Sequence, residues 1–357
     1  MSEIELQQEN KRKLVTVRQI GAIRPIEGAD AIECASVEGW QVVVKKGEFQ
    51  PGDACVYFEI DAFLPLGDER YLFLAKNRIV WNDKEGVRLR TIKLRGQVSQ
   101  GLILPLAGFP EIAGLIGEDL AAARKLDFSG LLGILKWEAP IPANLAGEAE
   151  GPFPSFIRKT DQERIQNLPE VLREADDALF EATIKLDGSS MTVFHNAGAC
   201  GVCGRNWQLK EVVGNSLWRV ARESRLPEAL SALGRNLALQ GEIIGEGIQG
   251  NPEKLRGQEF HLFDVFDIDT QAYLGRADRE RVAAELVQRG AKLKQVPFVE
   301  VLPLTRFAGD MNAILAYAEG PSLNPQTVRE GIVFKRLDGA FSFKAISNAY
   351  LLKHGDR

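Results

Sequence analysis

Cysteine and histidine are scarce: the 357 residues hold four of the first and three of the second. A disulfide framework is thereby excluded, and a reducing compartment fits better than an oxidising one. Cys200 and Cys203 have zinc-like spacing, but no second pair follows and His195 is the only nearby histidine, so the pair reads as part of a strand hairpin. Long apolar runs are also missing. The best candidate, Gly101 to Gly117, is broken by Pro105, Pro110 and Glu111, well short of the ~18 apolar residues a membrane span needs. The opening MSEIELQQENKRK lacks the apolar core of a secretory signal. These absences predict a soluble, cytoplasmic protein. Positive charge is not in excess either: 44 Lys plus Arg against 49 Asp plus Glu gives −5, which excludes a surface coated throughout by nucleic acid and leaves room only for a local basic groove.

What is present suffices for two cores, with 45% hydrophobic and 26% charged residues and no internal repeat. From Leu14 to about Leu106, short alternating runs (VTVRQIGAI, WQVVVKK, ACVYFEI) are punctuated at Glu38-Gly39, Pro51-Gly52 and Glu85-Gly86, as in a small β-barrel. Between Lys76 and Arg95 lie Lys76, Arg78, Lys84, Arg88, Arg90, Lys93 and Arg95 against only Asp83 and Glu85. This stripe suits phosphate contact, with Tyr71, Phe73 or Trp81 for base stacking; the alternative is a solvated hairpin face with the aromatics in the core. Near Lys136 the composition turns rich in Pro, Gly and Ala, with Pro140, Pro142, Pro152 and Pro154. The expected boundaries are residues 1–130, a linker over 131–157, and a second domain over 158–357. There a capping box at Thr160 and Glu163 predicts a helix start, and further helices are expected over Val212–Leu226, Ala277–Gln288 and Met311–Glu319, within an α+β domain of antiparallel sheets.

The run FEATIKLDGSSMTVF alternates, so Thr183, Lys185 and Asp187 share the strand face opposite Phe180, Ala182, Ile184 and Leu186. Downstream stand Gly204-Arg205-Asn206, Gly241-Glu242-Ile243-Ile244-Gly245-Glu246-Gly247, Phe260-His261-Leu262-Phe263-Asp264, Glu330-Gly331-Ile332-Val333-Phe334-Lys335 and Ser342-Phe343-Lys344. In this order they resemble motifs I, Ia, III, IIIa, IV and V of the covalent nucleotidyltransferases. Arg24-Pro25-Ile26-Glu27-Gly28-Ala29-Asp30, Pro51-Gly52-Asp53 and Leu94-Arg95-Gly96-Gln97-Val98-Ser99-Gln100-Gly101-Leu102 resemble OB-like modules of tRNA-handling proteins. An OB-like module ahead of the core, FPSFIRKTDQERIQN before motif I, SFKAISNAYLLK at the end and only thirteen residues after Lys344 together resemble the Deinococcus-type ATP-dependent RNA ligase family.

That resemblance implies an N-terminal OB-like β-barrel before an antiparallel-sheet adenylyltransferase domain, in a monomer that seals 3′-OH/5′-phosphate nicks in a duplex with an RNA 3′-OH strand. Lys185 would carry AMP from ATP, with Asp187 and Lys344 as its catalytic companions. Glu242 would hold the ribose and Phe263 would stack on adenine. Gly188, Glu330, Lys335 and Lys344 would complete the nucleotide site, and Arg205 would meet the 5′-phosphate. Asp187, Glu242 and Glu330 would hold Mg²⁺ or Mn²⁺ directly or through water. Related ligases often have two lysines in motif V; the first position here is Ser342, leaving Lys335, Lys353 and Lys159 as alternative cations. An ATP-dependent DNA ligase and a nucleic-acid-binding protein with an inactive core are the competing readings. A lysine of pKa ~10.4 is neutral only about once in 2,500 molecules at pH 7, so its ammonium must be destabilised by roughly 4–5 kcal/mol to serve as nucleophile.

Overall fold

The computed structural model describes residues 13–117, 120–138 and 147–354. The chain separates into two compact units, Met1–Pro140 with Leu351–Arg357, and Ile141–Tyr350. In the first, Val15–Gln19, Ala54–Phe58 and Leu102–Pro105 form one antiparallel sheet, and Ala22–Pro25, Ile32–Val37 and Trp40–Lys45 form another. A third pairs Leu135–Lys136, Ala62–Pro65, Lys84–Arg88 and Ile79–Trp81. The Ala54–Phe58 strand is apolar throughout because both its faces are buried. Cys55 and Tyr57 pack with Trp40, Val42 and Ile103, while Val56 and Phe58 pack with Val17, Tyr71 and Phe109. The expected turn at Glu85-Gly86 falls inside a strand. The chain reverses at Asn82-Asp83, both left-handed, and Gly86 is required because a Cβ there would lie 2.4 Å from the Phe63 ring.

The second unit contains two sheets. The larger runs in the order Ala149–Pro152, Trp207–Leu209, Ala199–Cys203, Ser189–Asn196, Leu237–Gly245, Gln258–Asp267 and Ala272–Tyr273, with Lys294–Gln295 added in parallel to Gln258–Asp267. The smaller runs Glu163–Arg164, Ser342–Ile346, Gly331–Arg336, Leu179–Lys185 and Phe298–Pro303. The Pro-rich stretch thus includes a paired strand, and residues 139–146 of it lie outside the described residues. Met191, Val193, Leu239, Ile243 and Leu262 of the larger sheet pack on helices Ser216–Glu223, Leu226–Leu233 and Arg276–Gln288. Phe180, Ala182, Ile332, Phe334, Phe343 and Ala345 of the smaller sheet pack on helix Met311–Tyr317. In the smaller sheet the period-2 alternation leaves the opposite face for polar side chains, whereas the opposite face of the larger one carries Phe194, Ala238 and Phe266, packed on Ile157 and Ile268, beside polar Gln240 and Glu242.

Two helix expectations need correction. No helix starts at Thr160: Glu163 accepts from the Arg164 N–H and from Asn167 instead of closing a capping box, and the helix begins after Leu168 with Pro169 in its first turn. The helix expected over 212–226 is shorter, Ser216–Glu223, and a second, Leu226–Leu233, begins where it was expected to end. Asn215 caps the first by accepting from the Trp218 N–H, and left-handed Arg225 followed by Pro227 starts the second.

Candidate functional site

On the smaller sheet, register aligns Lys185 with Gly331 and Ile346, and Thr183 with Val333, Lys344 and Arg164. Cross-strand partners point to the same side, so Thr183, Lys185, Lys344 and Arg164 share the face opposite the phenylalanine core. The Lys185 Nζ donates to Glu330 Oε2 at 2.6 Å. Gly331 is what lets these strands meet there, because a Cβ would lie 2.1 Å from the Ala345 carbonyl oxygen. Gly188 is required likewise, its missing Cβ leaving room for the Ile243 carbonyl and the Glu242 side chain.

Lys185 sits among carboxylates. Burial disfavours its charged form, but Glu330, then Glu242 and Asp187, outweigh burial and raise its pKa above the ordinary lysine value. Burial pushes Glu242 up to about 8, opposed by Lys185 and Arg205 and assisted by Glu330 and Asp187. Asp187, Glu242 and Glu330 supply only hard oxygen donors, the chemistry that Mg²⁺ or Mn²⁺ takes. Among the described residues no three His, Cys, Asp or Glu group closely enough to hold a metal ion. Arg205 is exposed, 3.6 Å from Asp161. Lys159 donates to Asn206 beside it, at 3.2 Å.

Lys335 is not in this cluster. It pairs in register with Glu181, four residues from the Lys185 row and thus roughly 13 Å along the sheet. Its buried ammonium is 2.7 Å from Asp264, donates to the Phe263 carbonyl and lies 5.3 Å from the Phe263 ring centroid. Burial lowers its pKa, with Asp264 pulling the other way. A second buried pair, Glu181 with Arg279 at 2.6 Å, lies alongside. Above them opens a cavity of about 110 Å³ whose walls include Thr183, Leu262, Phe263, Val296 and Phe298.

The segment entering Glu330 is held from two sides. Arg329 donates to the carbonyls of Tyr317, Ala318 and Glu319 at the end of helix Met311–Tyr317. Buried Glu253, from the loop after Glu242, accepts from the Ser322 hydroxyl and from the Asn324 N–H at 2.7 Å. Gln249 of the same loop donates to the Gly188 carbonyl at 3.2 Å. One loop therefore touches segments adjoining Asp187, Glu242 and Glu330. Sequence reasoning passed over Glu253, Arg164, Asp264 and Glu181; the available signal for the last two was an acid in an otherwise apolar strand.

In the first unit the basic stripe divides. Arg88 is 2.6 Å from Asp61 and stacks 3.7 Å from the Trp137 ring, a structural role. Arg78 pairs with Glu85 at 3.1 Å. Tyr71 is core and Trp81 packs on Phe63 with its N–H donated to the Glu138 carbonyl, so of the three aromatics expected to stack on bases only Phe73 is exposed. Cys34 and Cys55 are buried; Cys200 and Cys203, three residues apart on one strand, face opposite sides.

An OB-fold domain family matches residues 14–106 and the RNA ligase family matches residues 179–346. A search of curated proteins finds no match. Among solved structures, the chain is similar to Naegleria gruberi RNA ligase in a mutant apo form, at 53% identity over 96% of this chain and 99% of that one, with a TM-score of 0.84. Two further structures of that ligase, a lysine-to-alanine mutant with ATP and Mn and the protein with PPi, match at the same identity and coverage, with TM-scores of 0.83 and 0.82. With the carboxylate-held lysine between two sheets and an OB-fold domain ahead of it, the chain belongs to the RNA ligase family.

Proposed function

We propose that this ligase uses ATP to seal 3′-OH/5′-phosphate nicks in duplexes with an RNA 3′-OH strand, in the cytoplasm, with Lys185 as the nucleophile. The observation that carries the reading is the Lys185 ammonium held 2.6 Å from Glu330 with Asp187 and Glu242 around it. Those carboxylates stabilise the cation and hold the lysine unreactive until their charge is drawn elsewhere. A divalent cation at Asp187, Glu242 and Glu330 would supply that charge and shield the triphosphate. Lys185, once its proton has passed to solvent, then forms an N–P bond to the α-phosphorus as the bond from that phosphorus to the bridging oxygen breaks and pyrophosphate leaves. AMP passes to the 5′-phosphate, regenerating the lysine. The 3′-hydroxyl attacks that phosphate and releases AMP.

Lys344 and Arg164, neighbours in register on the sheet face that carries Lys185, would meet the departing pyrophosphate. Arg164 takes the part that the first motif V lysine would have, since Lys335 is committed to Asp264. The adenine enters the cavity walled by Thr183 and Phe263, and Lys335 acts by fixing the Phe263 backbone. Glu242 meets the ribose and Arg205, exposed near Lys159 and Asn206, meets the 5′-phosphate. Incubation with α-labelled ATP and Mn²⁺ or Mg²⁺ tests the first step: label must attach to the wild type and not to Lys185→Ala. Sealing of nicks with RNA or DNA on each side tests the second, and equal sealing of all-DNA nicks would overturn the RNA assignment.

A further inference from the structure

Strands Ile92–Leu94 and Gln97–Ser99 form a separate two-stranded ribbon, closed by Arg95-Gly96 with both residues left-handed. One strand is anchored: Ser99 accepts from the Val43 N–H at 2.9 Å and Gln100 donates its N–H to the Gln41 carbonyl at 2.7 Å. The other is exposed along its whole length, Ile92 by 50% and Leu94 by 37%. Alternation puts Ile92 and Leu94 on one side and Lys93 on the other, with Arg95 at the tip and Arg90 leading in. No acid occurs between Glu85 and Glu111, and no aromatic residue between Trp81 and Phe109.

We propose that this ribbon docks on double-stranded RNA beside the nick, Arg90, Lys93 and Arg95 against phosphates and Ile92 and Leu94 against ribose edges. This rests on the ligase reading and names where its duplex is held. A cationic tip in a stretch of sequence without acids matches a polyanion. A surface that follows single strands uses aromatic platforms, which the ribbon lacks. A ribbon with aliphatic side chains on one face and cations on the other face and at its tip instead suits the wide, shallow A-form minor groove, where riboses and phosphates both lie within reach.

The test uses the full chain and a nicked RNA duplex with a 5′-hydroxyl at the nick, which binds without turnover. Lys93→Ala with Arg95→Ala should weaken binding about tenfold at 0.1 M salt and reduce the slope of log K against log salt by roughly 1.8, about 0.9 per phosphate contact. Ile92→Ser with Leu94→Ser should weaken binding several-fold and leave the slope unchanged. Lysyl-AMP formation should be unaffected in both, which separates this proposal from the ligase reading: loss of labelling in the wild type sinks the latter, whereas normal labelling with unchanged duplex binding sinks the ribbon. Lys76→Ala with Lys84→Ala removes equal charge outside the ribbon; an equal loss there would show bulk charge at work and overturn the assignment. So would ribbon variants that lose affinity for phosphatidylserine vesicles but not for the duplex.

Discussion

Lys185 Nζ and Glu330 Oε2, 145 residues apart in sequence, stand 2.6 Å apart at the centre of the candidate site. Glu330 is the largest influence raising the lysine pKa. Glu330→Gln should therefore increase the reactivity of Lys185 toward an amine-selective reagent without added metal, about tenfold for each pKa unit lost. Lysyl-AMP formation with ATP should fall in the same variant. Peptide mass spectrometry after brief labelling at pH 8 reads the first effect; unchanged labelling would contradict the carboxylate hold.

Glu242 gives a pH dependence of known sign. A carboxyl whose pKa rises from 4.5 to about 8 on folding favours the folded state while protonated, and that contribution is lost as pH climbs from the first value through the second. The thermal midpoint of the metal-free protein should fall between pH 5 and pH 8, and Glu242→Gln should flatten the fall. An equally steep fall in the variant would refute the assignment.

Arg164 lies across from Lys344 on adjoining strands. Arg164→Ala should slow lysyl-AMP formation on the order of tenfold to a hundredfold, as loss of a charge-stabilising donor does. The reverse reaction should then require more pyrophosphate, with Arg164→Lys partly restoring both. A variant as fast as wild type in both directions would remove Arg164 from the pyrophosphate site.

Glu253 holds the segment that leads to Glu330, through Ser322 and Asn324. Glu253→Ala leaves those donors without their carboxylate, costing about 1–3 kcal/mol. It should also raise the Mn²⁺ concentration for half-maximal lysyl-AMP formation, with Glu253→Gln intermediate. A lower melting point with an unchanged Mn²⁺ requirement would make the residue structural only.

Truncation should be sensitive to its starting point. Glu148 accepts from Asn215 at 2.7 Å and strand Ala149–Pro152 pairs with Trp207–Leu209. A fragment beginning at Gly147 should form lysyl-AMP yet seal 5′-phosphate nicks poorly, whereas one beginning at Phe153 should be less stable for want of that strand. Nick sealing by the Gly147 fragment at the full-length rate would remove the N-terminal unit from duplex binding.

The alternation over Phe180–Lys185 was enough to assign faces, since one side of that strand is pure core. Residues distant in sequence met through strand register, which composition does not carry: Arg164 was hidden behind a capping-box pattern that folds as a short parallel strand. Arg88 looked like one cation of a stripe because its partners, Asp61 and Trp137, lie 27 and 49 positions away. Lys335 was expected at the same site as its motif neighbour Glu330; the five-residue interval carries it down the sheet to Asp264.

The charged state of Lys185 also bears on how the protein ages. A neutral lysine amine is a target for acylating metabolites and reducing sugars. Held as an ammonium against Glu330, the same nitrogen has no lone pair to offer them. The ion pair with Glu330 is thus a chemical safeguard for the amine.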